Sequence, residues 1–165
     1  MDNPVAVAIF GMFPQVFLSL YAPLGLVGAR ASFAKLIVPG VLLTALTSIM
    51  RATPALFGWH IPIYLVLYLG IVVLMRLTTF MAALASVALS FVFVALGDAV
   101  LALPLLNLFD LKFENVLSNW MVHVGFLWLE SGFLIVAALL VKYRSFVLIP
   151  VVRSRNPSRG LGDTE

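Results

Sequence analysis

Residues 80–106 read FMAALASVALSFVFVALGDAVLALPLL, twenty-seven residues with a single ionisable side chain, Asp98. A helix rises about 1.5 Å per residue and the hydrocarbon layer of a bilayer is about 30 Å thick, so about twenty apolar residues cross it. The stretch is long enough to span, and it sets the fold class: a polytopic, all-α helix bundle with lipid as its solvent.

The rest of the chain agrees. Of its 165 residues 63% are hydrophobic, 10% are charged and none is cysteine. Mean hydropathy is +1.14. Soluble domains run at roughly 45–50% apolar and about 25% charged. A soluble domain, a disordered chain, a disulfide scaffold and a zinc-finger site are excluded.

Working outward, four further spans are expected. The first covers about Val5 to Val27 and frays near Pro23, Gly25 and Gly28. The second runs from about Phe33 to Met50, with Pro39-Gly40 as a kink. The third covers about His60 to Leu77, with Pro62 suited to its first turn, and the fifth about Asn119 to Val141. Between the fourth and fifth, Asn107 to Asn119 is polar, and Leu108, Leu111, Val116 and Leu117 fit a short helix on the membrane surface. The apolar run Phe146 to Val152 is too short to span. One transmembrane domain therefore covers residues 1–152, and residues 153–165 form a polar, disordered cytoplasmic tail. The start has Asp2 and no basic residue, unlike a signal peptide, so the first span is expected to be retained.

The net charge is +3. The basic residues punctuate apolar segments rather than form a polar face, which points to membrane orientation and not to nucleic acid. With five spans, Arg30, Lys35, Arg76, Lys142, Arg144, Arg153, Arg155 and Arg159 share one side, eight against Arg51 and Lys112 on the other. The positive-inside rule places the N-terminus outside and the C-terminus inside a cell membrane. Trp59 and Trp120 then fall at outer boundaries, Tyr21 and Tyr143 at inner ones.

A charge at bilayer depth costs at least about 2.5–3.5 kcal/mol, so it faces the bundle interior and needs a partner. Glu130 lies eleven residues into the fifth span, about 16 Å along it, near the midplane. Asp98 lies in the outer third of the fourth. His123, Leu127 and Glu130 are spaced i, i+4, i+7 and share a helix face. Arg51 and His60 fall at the depth of Asp98 and His123, with Trp120 nearby. Two readings of this constellation stand. Glu130, Asp98, His123, Arg51, His60 and Trp120 line a pocket open to the outside for a small ligand or peptide. Alternatively they are packing pairs, such as Asp98 with Arg51 and a neutral Glu130 with His123 or a carbonyl. Tyr64 and Tyr68 share a face and are expected to pack. Thr44, Thr47 and Ser48 are expected to bond between helices, and Ala82, Ala85, Ser86 and Ser90 to permit close helix approach.

No hydrolase, metalloprotease, nucleotide-binding or metal-spaced motif occurs, and Asp98 is the only Asp within a span. The expectation is a non-catalytic protein without a metal or other cofactor.

The order of features resembles a known group. Leu24-Gly-Leu-Val-Gly-Ala-Arg-Ala-Ser-Phe-Ala-Lys-Leu36 follows the first span, then Arg51 with Phe57-Gly-Trp-His60, Gly97-Asp98 with Pro104, and Glu114-Asn-Val-Leu-Ser-Asn119. Over about residues 15–150 this is similar to the multi-span N-terminal sensor region of peptide-sensing Firmicutes histidine kinases of the AgrC-like, Spo0B-type group. The resemblance implies a receptor-like bundle that passes a signal inward. The stretch after Val152 carries no phosphoacceptor helix or ATP-binding domain, so a kinase output would come from a partner. The functional expectation is a sensing or ligand-binding bundle. The alternative is an accessory or anchoring subunit of a larger membrane complex or transporter, with a membrane-protein partner or a second copy of the chain.

Overall fold

The computed structural model describes residues 3–29, 31–53, 60–110, 116 and 118–149. Among them 84% are helical and none is in a strand. Six helices follow in order: α1 Pro4–Leu26, α2 Phe33–Ala52, α3 His60–Leu74, α4 Phe80–Leu108, α5 Trp120–Glu130 and α6 Gly132–Arg144. Residues 153–165 and most of the expected surface helix lie outside the described residues.

Local chemistry explains the helix starts. Asn3 Oδ1 accepts from Ala6 N at 3.0 Å, with Pro4 in the first turn. Thr79 Oγ1 accepts from Ala82 N, and Asn119 Oδ1 from Met121 N at 3.0 Å. Each side chain meets a first-turn N–H that has no partner inside its helix. α1 ends at Gly28, whose φ of +84° suits glycine, and Ala29 N returns to the Leu24 carbonyl. The chain beyond α6 turns at Ser145, and the N–H groups of Leu148 and Ile149 both donate to the Leu26 carbonyl. The apolar run that is too short to span thus closes the end of α1.

α1 is the axis of the bundle. It packs against α2, α4 and the broken pair α5/α6, and α3 fills the space between α2 and α4. Leu20, Leu24, Leu36, Leu43, Tyr68, Val72, Ala82 and Ala83 form the largest buried cluster. Gly25 meets Val141 so closely that a Cβ there would overlap the valine side chain. Ala82, Ser86 and Ser90 are buried, as the small-residue pattern anticipates.

α1, α2 and α4 are long and apolar enough to cross a membrane, and α5 and α6 together make a fourth if their bend is one broken span. The expected third span is the short one: α3 has 15 residues, about 22 Å of rise. The expected fifth span is not continuous. It breaks at Ser131, where the axes of α5 and α6 differ by 51°. Ser131 and Gly132 supply the cause, since a Ser-Gly pair weakens the helical ladder. Ser131 Oγ donates back to the Leu127 carbonyl at 2.8 Å, an acceptor already taken by its own N–H.

The threonine and serine side chains of α2 also differ from expectation. Thr44 and Thr47 donate to the Gly40 and Leu43 carbonyls, and Ser48 to the Thr44 carbonyl, all within the helix. A hydroxyl on a helix reaches its own i−4 carbonyl with no helix pairing needed. Ser48 alone adds a contact across the bundle, to Met12 Sδ at 3.6 Å.

Candidate functional site

The axial helix carries prolines at positions 14 and 23. A proline within a helix has no N–H to return to the carbonyl four residues back. Within a membrane the freed carbonyl is met by neighbouring helices, nearby hydroxyls, an ordered water or a local π adjustment. Pro23 withdraws the regular donor from Ser19, and the Tyr68 hydroxyl of α3 donates to that carbonyl at 2.7 Å. Pro14 withdraws it from Phe10, and the Trp128 indole of α5 donates there at 2.9 Å. Tyr68 is fully buried. Its ring packs edge-on to Tyr64, so the packing expected of the tyrosine pair holds, with a polar task added to it.

Between these two ties lies a third. Gln15 Nε2 donates to Glu130 Oε2 at 3.2 Å, joining the first helix to the last residue of α5. The Gln15 backbone carbonyl in turn accepts from Ser19 Oγ at 2.9 Å. Trp128, Glu130 and Tyr68 thus each reach α1 by a hydrogen bond, at Phe10, Gln15 and Ser19 respectively.

Two π-helical turns border the site. Ala8–Met12 lies in α1 and Asp98–Ala102 in α4. Each ends just before a proline, Pro14 or Pro104, and Phe13 N and Leu103 N bond five residues back, to the Ala8 and Asp98 carbonyls. Both turns pack against α5. Isolated π turns of this kind concentrate at functional sites. On one side Leu127 seats against Gly11. On the other, a Cβ at Gly97 would collide with the Glu130 carbonyl, so glycine is what lets α4 touch the α5 backbone. Asp98 follows directly in sequence. The two carboxylates thus lie on helices that meet backbone to backbone at Gly97.

The six residues singled out from sequence are treated unequally by the fold. Glu130 and Asp98 are both half-buried, and His123 is buried at 5% exposure. Leu127 shares its buried face, as the i, i+4, i+7 spacing implies. Trp120 packs beside Val7, Met12 and Leu127. Arg51 lies in the last turn of α2 and His60 begins α3, and their side chains lie outside the described residues. Gln15 was not among the six, although an amide inside the first span is itself a signal. Trp128 needed a further step, the count of carbonyls that prolines leave open.

The site accepts hydrogen bonds more readily than it gives them. Glu130 stands at the C-terminal end of α5, where the helix dipole is negative, and Asp98 is one residue beyond the closest approach. Such a place suits an ammonium or amide donor. Two cavities, of about 290 and 240 Å³, lie apart from it, and neither is lined by Glu130, Asp98, His123 or Trp120. Compared with protein-family profiles, with curated proteins and with solved structures, the chain matches none.

Proposed function

We propose that the protein is a non-catalytic, multi-pass cell-membrane bundle of five spans that senses or binds a small ligand or peptide at Glu130. The ligand presents an ammonium or amide N–H, and Glu130 and Asp98 receive it. One observation carries the reading: Glu130 is held half-buried by Gln15 at the break between α5 and α6. A carboxylate in a span is rare unless it has a task, and here it stands where the helix is already interrupted. Occupancy at Glu130 competes with Gln15 and changes how α5 leans on α1. The similarity of feature order to peptide-sensing kinase receptors supports a signalling role, with output through a partner.

The test is native mass spectrometry of the full chain released from mild detergent, wild type beside Glu130→Gln. The expected result is a small molecule or peptide retained by the wild type and lost from the variant. Wild-type chain with nothing bound, or equal retention by both, overturns the proposal. A co-purifying membrane protein in place of the small molecule also overturns it, in favour of an accessory subunit.

A further inference from the structure

The cavity of about 290 Å³ sits where the start of α2 meets the turn from α3 to α4. Lys35 and Arg76 line it, with Val38, Met75 and Leu77 as its apolar wall, and none of its lining residues is acidic. The second cavity adjoins it through the shared Ala31 and contributes Lys142.

Both cations of the first cavity are placed against local preference. Arg76 has φ +52°. It occupies the left-handed position that ends α3, with Leu77 N returning to the Val72 carbonyl at 3.1 Å. Glycine fills that position most readily, and α1 ends in the same motif on Gly28. Membrane orientation accounts for a cation somewhere in this turn. It does not account for one on the single residue where the backbone favours glycine. Lys35 stands in the first turn of α2, at the end where the helix dipole is positive and a cation is disfavoured. Both placements become favourable once an anion occupies the space between the two side chains.

We propose that this cavity binds the phosphate of an anionic phospholipid headgroup. The guanidinium and the ammonium pair with the phosphate oxygens. The alternative source of the same chemistry is free phosphate. The apolar surroundings favour the lipid: Val38 continues into the exposed Val41 and Leu42 along α2, a track on which an acyl chain lies. The inference is independent of the Glu130 site.

The test uses the purified full chain in mild detergent with equal amounts of phosphatidylglycerol and phosphatidylcholine, read by native mass spectrometry. Wild type is expected to retain phosphatidylglycerol selectively. Arg76→Gly and Lys35→Gln are each expected to weaken that retention about fivefold, the effect of one cation near an anionic surface. Lys112→Gln, in the connection between α4 and α5, leaves it unchanged. Glycine fits the backbone at position 76, so the melting temperature of lipid-free Arg76→Gly is expected to equal or exceed that of wild type. Equal retention of the two lipids by wild type, or unchanged retention in both cavity variants, overturns the proposal. Displacement of the lipid by millimolar inorganic phosphate overturns it in favour of a soluble anion.

Discussion

Trp128 Nε1 donates to the Phe10 carbonyl, the acceptor that Pro14, four residues further on, leaves without its regular donor. The relationship recurs between Tyr68 and Ser19, where Pro23 is the cause. Two helices therefore reach α1 at points chosen by its prolines. The polar side chains used are amphipathic aromatics, each an apolar ring with one donor; Tyr68 is fully buried and Trp128 is exposed.

Trp128→Phe keeps the ring and removes the donor. The bond is exposed on the bundle surface, so the expected loss is about 0.5–1.5 kcal/mol of bundle stability, the net value of an ordinary hydrogen bond. Unfolding in detergent with increasing denaturing surfactant measures it. Adding Pro14→Ala returns a backbone N–H and is expected to recover most of the loss. A double variant no more stable than Trp128→Phe alone would show that the indole contributes by packing only.

Tyr68→Phe tests the same logic deeper in the bundle. The residue is fully buried, so a larger loss is expected, about 1–3 kcal/mol for a buried acceptor left unsatisfied, with partial rescue by Pro23→Ala. Phenylalanine at position 68 with no measurable loss would contradict the role assigned to the hydroxyl.

Substitution of glycines separates close approach from mere smallness. Gly97→Ala drives a methyl into the Glu130 carbonyl and is expected to destabilise by about 1–3 kcal/mol. Gly70 and Gly125 have open space around them, and alanine there is expected to be neutral or stabilising. Melting temperatures of the three variants decide it.

The absence of cysteine allows a clean topology measurement. With five spans the two chain ends lie on opposite faces. Asp2→Cys is expected to react with an impermeant maleimide on intact cells, and Thr164→Cys only after permeabilisation. Labelling of both from the same side would show an even number of crossings and remove the assigned orientation.

Much of the fold is legible in the sequence because lipid imposes simple rules on length and hydropathy. Residues 80–106 show it, and the helix starts at Asn3, Thr79 and Asn119 follow from capping chemistry. The face shared by His123, Leu127 and Glu130 follows from periodicity alone. The break at Ser131 is hidden in the sequence because Ser-Gly is a weak signal that is tolerated within many helices, and the approach of the Gly97 backbone to Glu130 beside it is a matter of packing. Gln15 as the partner of Glu130 depends on which helix lies beside α5, and that is a matter of tertiary packing. The same holds for Tyr68 and Trp128. The sequence shows which carbonyls lack a donor, but only the packing names the side chain that supplies one.

The proline-opened carbonyls also bear on the order of assembly. A chain made from its N-terminus completes α1 long before Tyr68 and Trp128 exist. Until they arrive, Ser19 and Phe10 stand as open acceptors in a segment otherwise ready for hydrocarbon, where each unsatisfied group costs several kcal/mol. The first helix to be synthesised is therefore the last to be fully satisfied, since the donor to Phe10 arrives with α5 and those to Leu26 only after α6. Early insertion of α1 thus depends on water or a helper protein at those two points, and a chain truncated before residue 128 is expected to leave α1 held less securely than its hydropathy suggests.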